Sequence, residues 1–164
     1  MLRTMRKILI LTMLFLTSIA AFAQDAEERS REWAKVSLFL EDLEKHKGDY
    51  IGKPAKVLYD KIRASVFKIR NVGLMETSMR AHPQHKSFLT GLYLYNVRSD
   101  VFLKERQSFI IDVSLNCHVD SDEFWDKLPD GSAWMEYAIL QTMNYIVTNI
   151  SYSWFDMSNT IKPE

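Results

Sequence analysis

Residues 108–120 read SFIIDVSLNCHVD, and the alternation in this stretch decides the fold class. In an extended chain successive side chains point to opposite sides of a sheet. Phe109, Ile111, Val113, Leu115, Cys117 and Val119 therefore share one side, and Ile110, Asp112, Ser114, Asn116, His118 and Asp120 the other. One apolar row and one mostly polar row, at a period of two, predict an antiparallel strand with a single face on the core. The only cysteine of the chain falls in the apolar row, where a thiol behaves as a small buried hydrophobe. His118 points away from it, and a thiol–imidazole nucleophile needs both side chains within hydrogen-bond reach. The spacing thus argues against catalysis at Cys117.

The same period recurs before this strand. Phe67 and Ile69 alternate with Lys68 and Arg70, and Phe88, Leu92 and Leu94 alternate with Leu89, Tyr93 and Tyr95. Three antiparallel strands are predicted, joined through turn signals at Asn71 and Gly73, at Ala81–His85, and at Arg98-Ser99-Asp100 with the charged run through Arg106. Residues 149–155, NISYSWF, fit a fourth strand as well as they fit the continuation of a preceding helix, because Ile150, Tyr152 and Trp154 alternate with serines.

Helical signals bracket the strands. From Asp25 to Lys47, Trp33, Val36, Leu40 and Leu43 recur at three- and four-residue steps, with Phe39 widening the stripe. Lys45, His46 and Lys47 suit the negative end of that helix, and Gly48 suits a left-handed stop. Gly52-Lys53-Pro54 opens a second helix that places Val57, Leu58 and Ile62 inward and ends near Ala64, with proline at its first helical position. Asp120 reads as the cap of a helix with Glu123 three residues on, stopped at Pro129-Asp130-Gly131. Ser132 then caps a longer helix holding Trp134, Tyr137, Ala138, Leu140, Ile146 and Val147, apolar on more than one side and so sandwiched.

These elements predict one α+β domain over residues 24–157: a small antiparallel sheet of three or four strands, with N-terminal and C-terminal helices packed mainly on the face that holds Cys117. Residues 158–164 read as a disordered tail.

The first residues, MLRTMRKILILTMLFLTSIAAFAQ, read as an export signal. Arg3, Arg6 and Lys7 precede an apolar run from Ile8 to Ala20, which is short for a membrane span, and Ala21-Phe22-Ala23 offers small residues for cleavage before Gln24. No cysteine lies near that point to take a lipid. Cleavage would leave 141 residues with 18 basic and 21 acidic side chains, a formal charge of −3. The expected product is periplasmic or secreted, with no membrane span. Nucleic acid is an unsuitable partner, since the basic residues are dispersed among acidic ones. A lone cysteine forms no disulfide within its own chain, so the core must supply the stability.

Several residues are candidates for function. Asp112, Ser114, Asn116, His118 and Asp120 make a polar ribbon with an imidazole between carboxylates, able to grip a polar ligand or to supply general acid–base groups, or else a sheet face that meets water. His82 and His85, in HPQH, lack the further ligands a zinc site requires, so no metal and no cofactor are predicted. The aromatic residues concentrate late, and Trp125 and Trp154, near segment ends, are the most exposed candidates for stacking on a sugar or anchoring a partner protein. The phosphate-loop, dinucleotide, serine-hydrolase and zinc-protease patterns are absent.

The order of signal, helix, Gly-Lys-Pro helix start in DYIGKPAKVLYDKI, and strands resembles small secreted proteins of Gram-negative bacteria. It is similar to the two-helix, three-strand layout of outer-membrane assembly proteins of the SmpA/OmlA type. That likeness is one of pattern over residues 25–119, and it implies neither a function nor any site residue. The first functional expectation is a non-catalytic binding or assembly module, whose partner is another envelope or extracellular protein or a polar ligand such as a glycan. The alternatives are a small hydrolase using His118 with Asp112 or Asp120, and a carrier of a small apolar ligand in a cavity lined by Phe88, Leu92, Met135 or Tyr137.

Overall fold

A computed structural model describes residues 27–78, 86–98, 107–131 and 133–156. The expected export signal, the expected turn at 81–85, the charged run at 99–106, Ser132 and the expected tail at 158–164 lie outside the described residues. Contacts divide the chain into two compact units, Met1–Leu38 and Phe39–Glu164. The described part of the first, residues 27–38, is helical, with Val36 buried, Leu38 exposed and an ion pair of 2.5 Å between Arg31 and Glu27.

The second unit is an α+β fold. It opens with helical residues 39–45 (α1), which bury Leu40 and Leu43, and a 3-10 turn follows at Lys47–Asp49. Gly48 does not take the left-handed stop; Gly52 does, at φ +82°, where a side chain would be strained. Helix α2, Ala55–Arg63, has Pro54 as its cap in an extended conformation rather than as its first helical residue. Ala55, Leu58, Tyr59 and Ile62 are buried, the i, i+3, i+4, i+7 face of one helix. Val57, expected to point inward, lies off that face and is 44% exposed.

The sheet is a four-stranded antiparallel meander: β1 (Asn71–Ser78), β2 (Ser87–Tyr95), β3 (Gln107–Asp120) and β4 (Val147–Asp156), in that spatial order. The alternation at Phe67–Arg70, which predicts the first strand, falls just ahead of it. Asn71 and Gly73, expected to turn the chain, lie within β1 opposite Tyr95 and Tyr93. NISYSWF resolves as strand, because residues 149–155 pair with β3.

Short helices connect β3 to β4. Asp120 caps α3 (Ser121–Trp125) by accepting from the N–H groups of Asp122 and Glu123. This helix ends at Trp125, well short of Pro129, and Gly131 is left-handed at φ +72°. Helix α4 (Ala133–Thr142) is shorter than expected. Ile146 bridges Pro54 and Val147 opens β4 instead of extending α4. Nor is α4 sandwiched: Ala138, Ile139 and Thr142 are buried, while Leu140 is 45% exposed.

Two rows crossing the sheet form the core side: Val72, Leu94, Ile111 and Tyr152, then Leu74, Leu92, Val113 and Ile150. Leu92, Leu94, Ile111 and Val113 are wholly buried, each contributing about 1.5–3 kcal/mol of hydrophobic stabilisation. Tyr59 on α2 meets Thr142 on α4 at 3.0 Å. Thr142 donates its one hydroxyl hydrogen to the Ala138 carbonyl at 2.8 Å, so Tyr59 is the donor to Thr142.

Candidate functional site

Three residue rows cross the other face of the sheet: Asn71, Tyr95, Ile110, Ser153; Gly73, Tyr93, Asp112, Ser151; and Met75, Gly91, Ser114, Asn149. Asp112 is the one formal charge among them, and it occupies the middle row. Its neighbours directly across the ladders are Tyr93 and Ser151. Partners in antiparallel register hold their Cβ atoms about 5 Å apart, so the carboxylate, the phenol ring and the hydroxyl form one cluster.

The electrostatics of that cluster follow from partial burial. Asp112 accepts a hydrogen bond from Ser151 Oγ at 3.3 Å. Desolvation nevertheless holds its carboxyl above the usual carboxylate range, the Ser151 bond offsetting only part of the effect. The Tyr95 phenol is raised as well, by burial first and then by the neighbouring Tyr93 and Asp112. Tyr95 reaches across to β1, where a Cβ on Gly73 would sit 3.3 Å from Tyr95 Cε2 and 3.4 Å from its Oη. The bare backbone at Gly73 is what lets that ring lie close against the strand.

The polar ribbon expected along β3 does keep its alternation, with Cys117 1% exposed and His118 exposed. Val119 departs from the apolar row in being only half-buried. The ribbon is not one site, however. Leu89 pairs with Val119 and Gly91 with Ser114, so β3 takes five steps where β2 takes two, and the intervening residues bulge away from β2. Asp112 and Ser114 stay in the sheet, while Asn116 and His118 lie in the bulge.

Other members of the ribbon have structural work. Asn116 accepts from the Ile146 N–H through Oδ1 at 2.8 Å and donates its own N–H to the Ile146 carbonyl at 2.9 Å. Asp120 caps α3 and pairs with Lys86 at 2.9 Å, which together hold its carboxyl below the usual range. Ser114 contacts Met75 Sδ at 3.8 Å. Among the described residues no hydrogen bond or ion pair joins His118 to Asp112 or Asp120.

Cys117 donates to the Leu89 carbonyl at 3.3 Å, and burial pushes its thiol up to about 11, leaving it protonated and unreactive at neutral pH. The two exposed tryptophans do not share a patch. Trp154 packs edge-on against Phe109 near the start of β3, with ring centroids 4.6 Å apart, whereas Trp125 donates to Glu76 Oε1 at 2.8 Å beyond the end of that strand. The length of β3 separates them, roughly 30 Å. No cluster of three or more His, Cys, Asp or Glu suited to a metal occurs among the described residues, and His82 and His85 lie outside them. Of the four residues expected to line a carrier cavity, Leu92 is in the core and Met135 lines an actual cavity beside α4.

Tyr93, Tyr95 and Ser151 join the site without having been singled out by sequence. The signal was present for the tyrosines, which sit on the opposite parity to Leu92 and Leu94 in the same strand. Ser151 required the register of β4 on β3. Among the described residues no helix is long and apolar enough to cross a membrane. Comparison with known protein families, with curated proteins and with solved structures finds no match to this chain.

Proposed function

We propose that this protein is a non-catalytic binding module of the periplasm or cell exterior, and that its outward sheet face holds a polyhydroxylated ligand such as a glycan. One observation carries the reading. A sheet face that merely meets water is ordinarily rich in charged side chains, yet these three rows hold a single charge amid two tyrosines, three serines, two asparagines, two glycines, Ile110 and Met75. Ring faces of Tyr93 and Tyr95 suit the C–H faces of a sugar. Asp112 and Ser151 suit its hydroxyls, the carboxylate being acceptor-only when ionised and able to take two hydroxyl donors at once.

The test is a titration of the purified protein with neutral oligosaccharides of glucose and of N-acetylglucosamine, followed by backbone and side-chain NMR. Shift changes centred on Tyr93, Tyr95, Asp112 and Ser151 are expected. Asp112→Asn should weaken binding about tenfold, the loss of one charge-assisted hydrogen bond. Because the Asp112 carboxyl is raised, binding should weaken on acidification at a higher pH than an ordinary aspartate would set. Saturating sugar that leaves this face unmoved would refute the proposal.

A further inference from the structure

A second site lies off the sheet, between the segment after α2 and helix α4. A cavity of about 500 Å³ is lined by Arg63, Phe67, Lys68, Ile69, Arg70, Met135, Glu136 and Ile139. That volume falls within the range of small-ligand sites, roughly 300–1,000 Å³. The apolar surface it offers comes from Ile69 and Met135, both half-buried, backed by Phe67, which is wholly buried, and Ile139, which is 3% exposed.

The rim is cationic and only partly neutralised. Arg63 pairs with Glu136 at 2.7 Å. Lys68 Nζ donates to the Ser65 carbonyl at 2.8 Å, a contact that satisfies one donor and cancels no charge. The exposed Arg70 side chain has no polar partner among the described residues. Three cations against one carboxylate thus leave an excess of two positive charges beside that apolar surface.

We infer that this cavity binds an anionic amphiphile, a carboxylate carried on an acyl chain, with the head group at Arg70 and Lys68 and the chain on Ile69 and Met135. Neither half of the site suffices for another class of ligand. An inorganic anion would gain nothing from Ile69 and Met135, and a neutral hydrocarbon would gain nothing from the two cations. The site is distinct from the outward sheet face and does not depend on the glycan reading.

The experiment is calorimetric titration of the purified protein with dodecanoate at neutral pH, beside dodecanol and dodecyltrimethylammonium as neutral and cationic counterparts. Dodecanoate is expected to bind one per chain, about tenfold or more tighter than dodecanol. Added salt should weaken dodecanoate and spare dodecanol. Exchanging Lys68→Gln and Arg70→Gln together should abolish the preference for the acid, and Met135→Trp should fill the cavity and block both ligands. Circular dichroism checks that each variant folds, and the salt and head-group comparisons on the unaltered protein decide the question should one fail to. Equal affinity for acid and alcohol would overturn the inference. So would full binding by the Lys68/Arg70 variant, since association with the apolar run at residues 8–20 would be indifferent to those side chains.

Discussion

Gly91 shows how narrow the tolerance is where β2 meets the bulge of β3. A Cβ there would stand 2.1 Å from the Val113 carbonyl oxygen and 3.0 Å from Ser114 Cα. Both obstacles are backbone, and Val113 is wholly buried, so neither can rotate aside. Gly91→Ala should cost about 3 kcal/mol, the upper end for overpacking, measured as a shift in the urea midpoint at unchanged slope. Nothing in SFLTGLYLY announces this, because a glycine in a strand signals close approach without naming what approaches. Cys117 and His118 are legible for the opposite reason. Strand parity alone separates sulfur from imidazole, and the bulge leaves that parity intact. Asp112 is legible as a polar position on the outward face. Its setting between Tyr93 and Ser151 is not, since it depends on two registers that no single strand encodes.

Elements that carry their own punctuation are easier to read than those defined by partners. Asp120 with Glu123 marks the start of α3 without help from any tertiary contact, and Asp120 does hold the N–H groups of Asp122 and Glu123. Phe67–Arg70 alternates like a strand, but its hydrogen bonds are mostly local. Phe67 N–H goes to Ser65 Oγ and Lys68 to the Ser65 carbonyl, and only Arg70 N–H reaches Tyr95. Pairing begins at Asn71, where turn propensity yields to the ladder with β2. At α3, the carboxylate of Asp120 serves two partners that substitution can separate. Asp120→Asn keeps the cap and loses the charge pair with Lys86, so most of the melting temperature should remain; Asp120→Ala loses both and should melt several degrees lower. The Asp120 carboxyl is depressed, so the charge contribution is present above the ordinary carboxylate range and is lost as pH falls through the lower, folded value. Melting curves of the unaltered protein and Asp120→Asn should therefore converge on acidification, and also at high salt.

Across the second unit as a whole, the protonation of buried groups sets a limit on the alkaline side. Tyr59 joins α2 to α4 through Thr142, and burial pushes its phenol from 10.0 up to about 12. Cys117, on the sheet, is raised from 9.0 to about 11 for the same reason. In each case the folded chain retains a proton that the unfolded chain releases. The unfolded state therefore binds fewer protons above its own pKa, and stability falls as pH rises. Loss should begin near pH 9, steepen above 10 and level off near 12. Tyr59 alone should account for about 3 kcal/mol, since each tenfold change in acidity is worth about 1.4 kcal/mol. Urea unfolding from pH 7 to 11 measures this. Tyr59→Phe should be less stable than the unaltered protein by about 1 kcal/mol at pH 7, having lost the bond to Thr142. Above pH 10 it should lose stability more slowly, so that the two stability curves cross. Parallel curves would mean that the phenol ionises as readily inside the fold as outside it, and that the core between helices and sheet admits water.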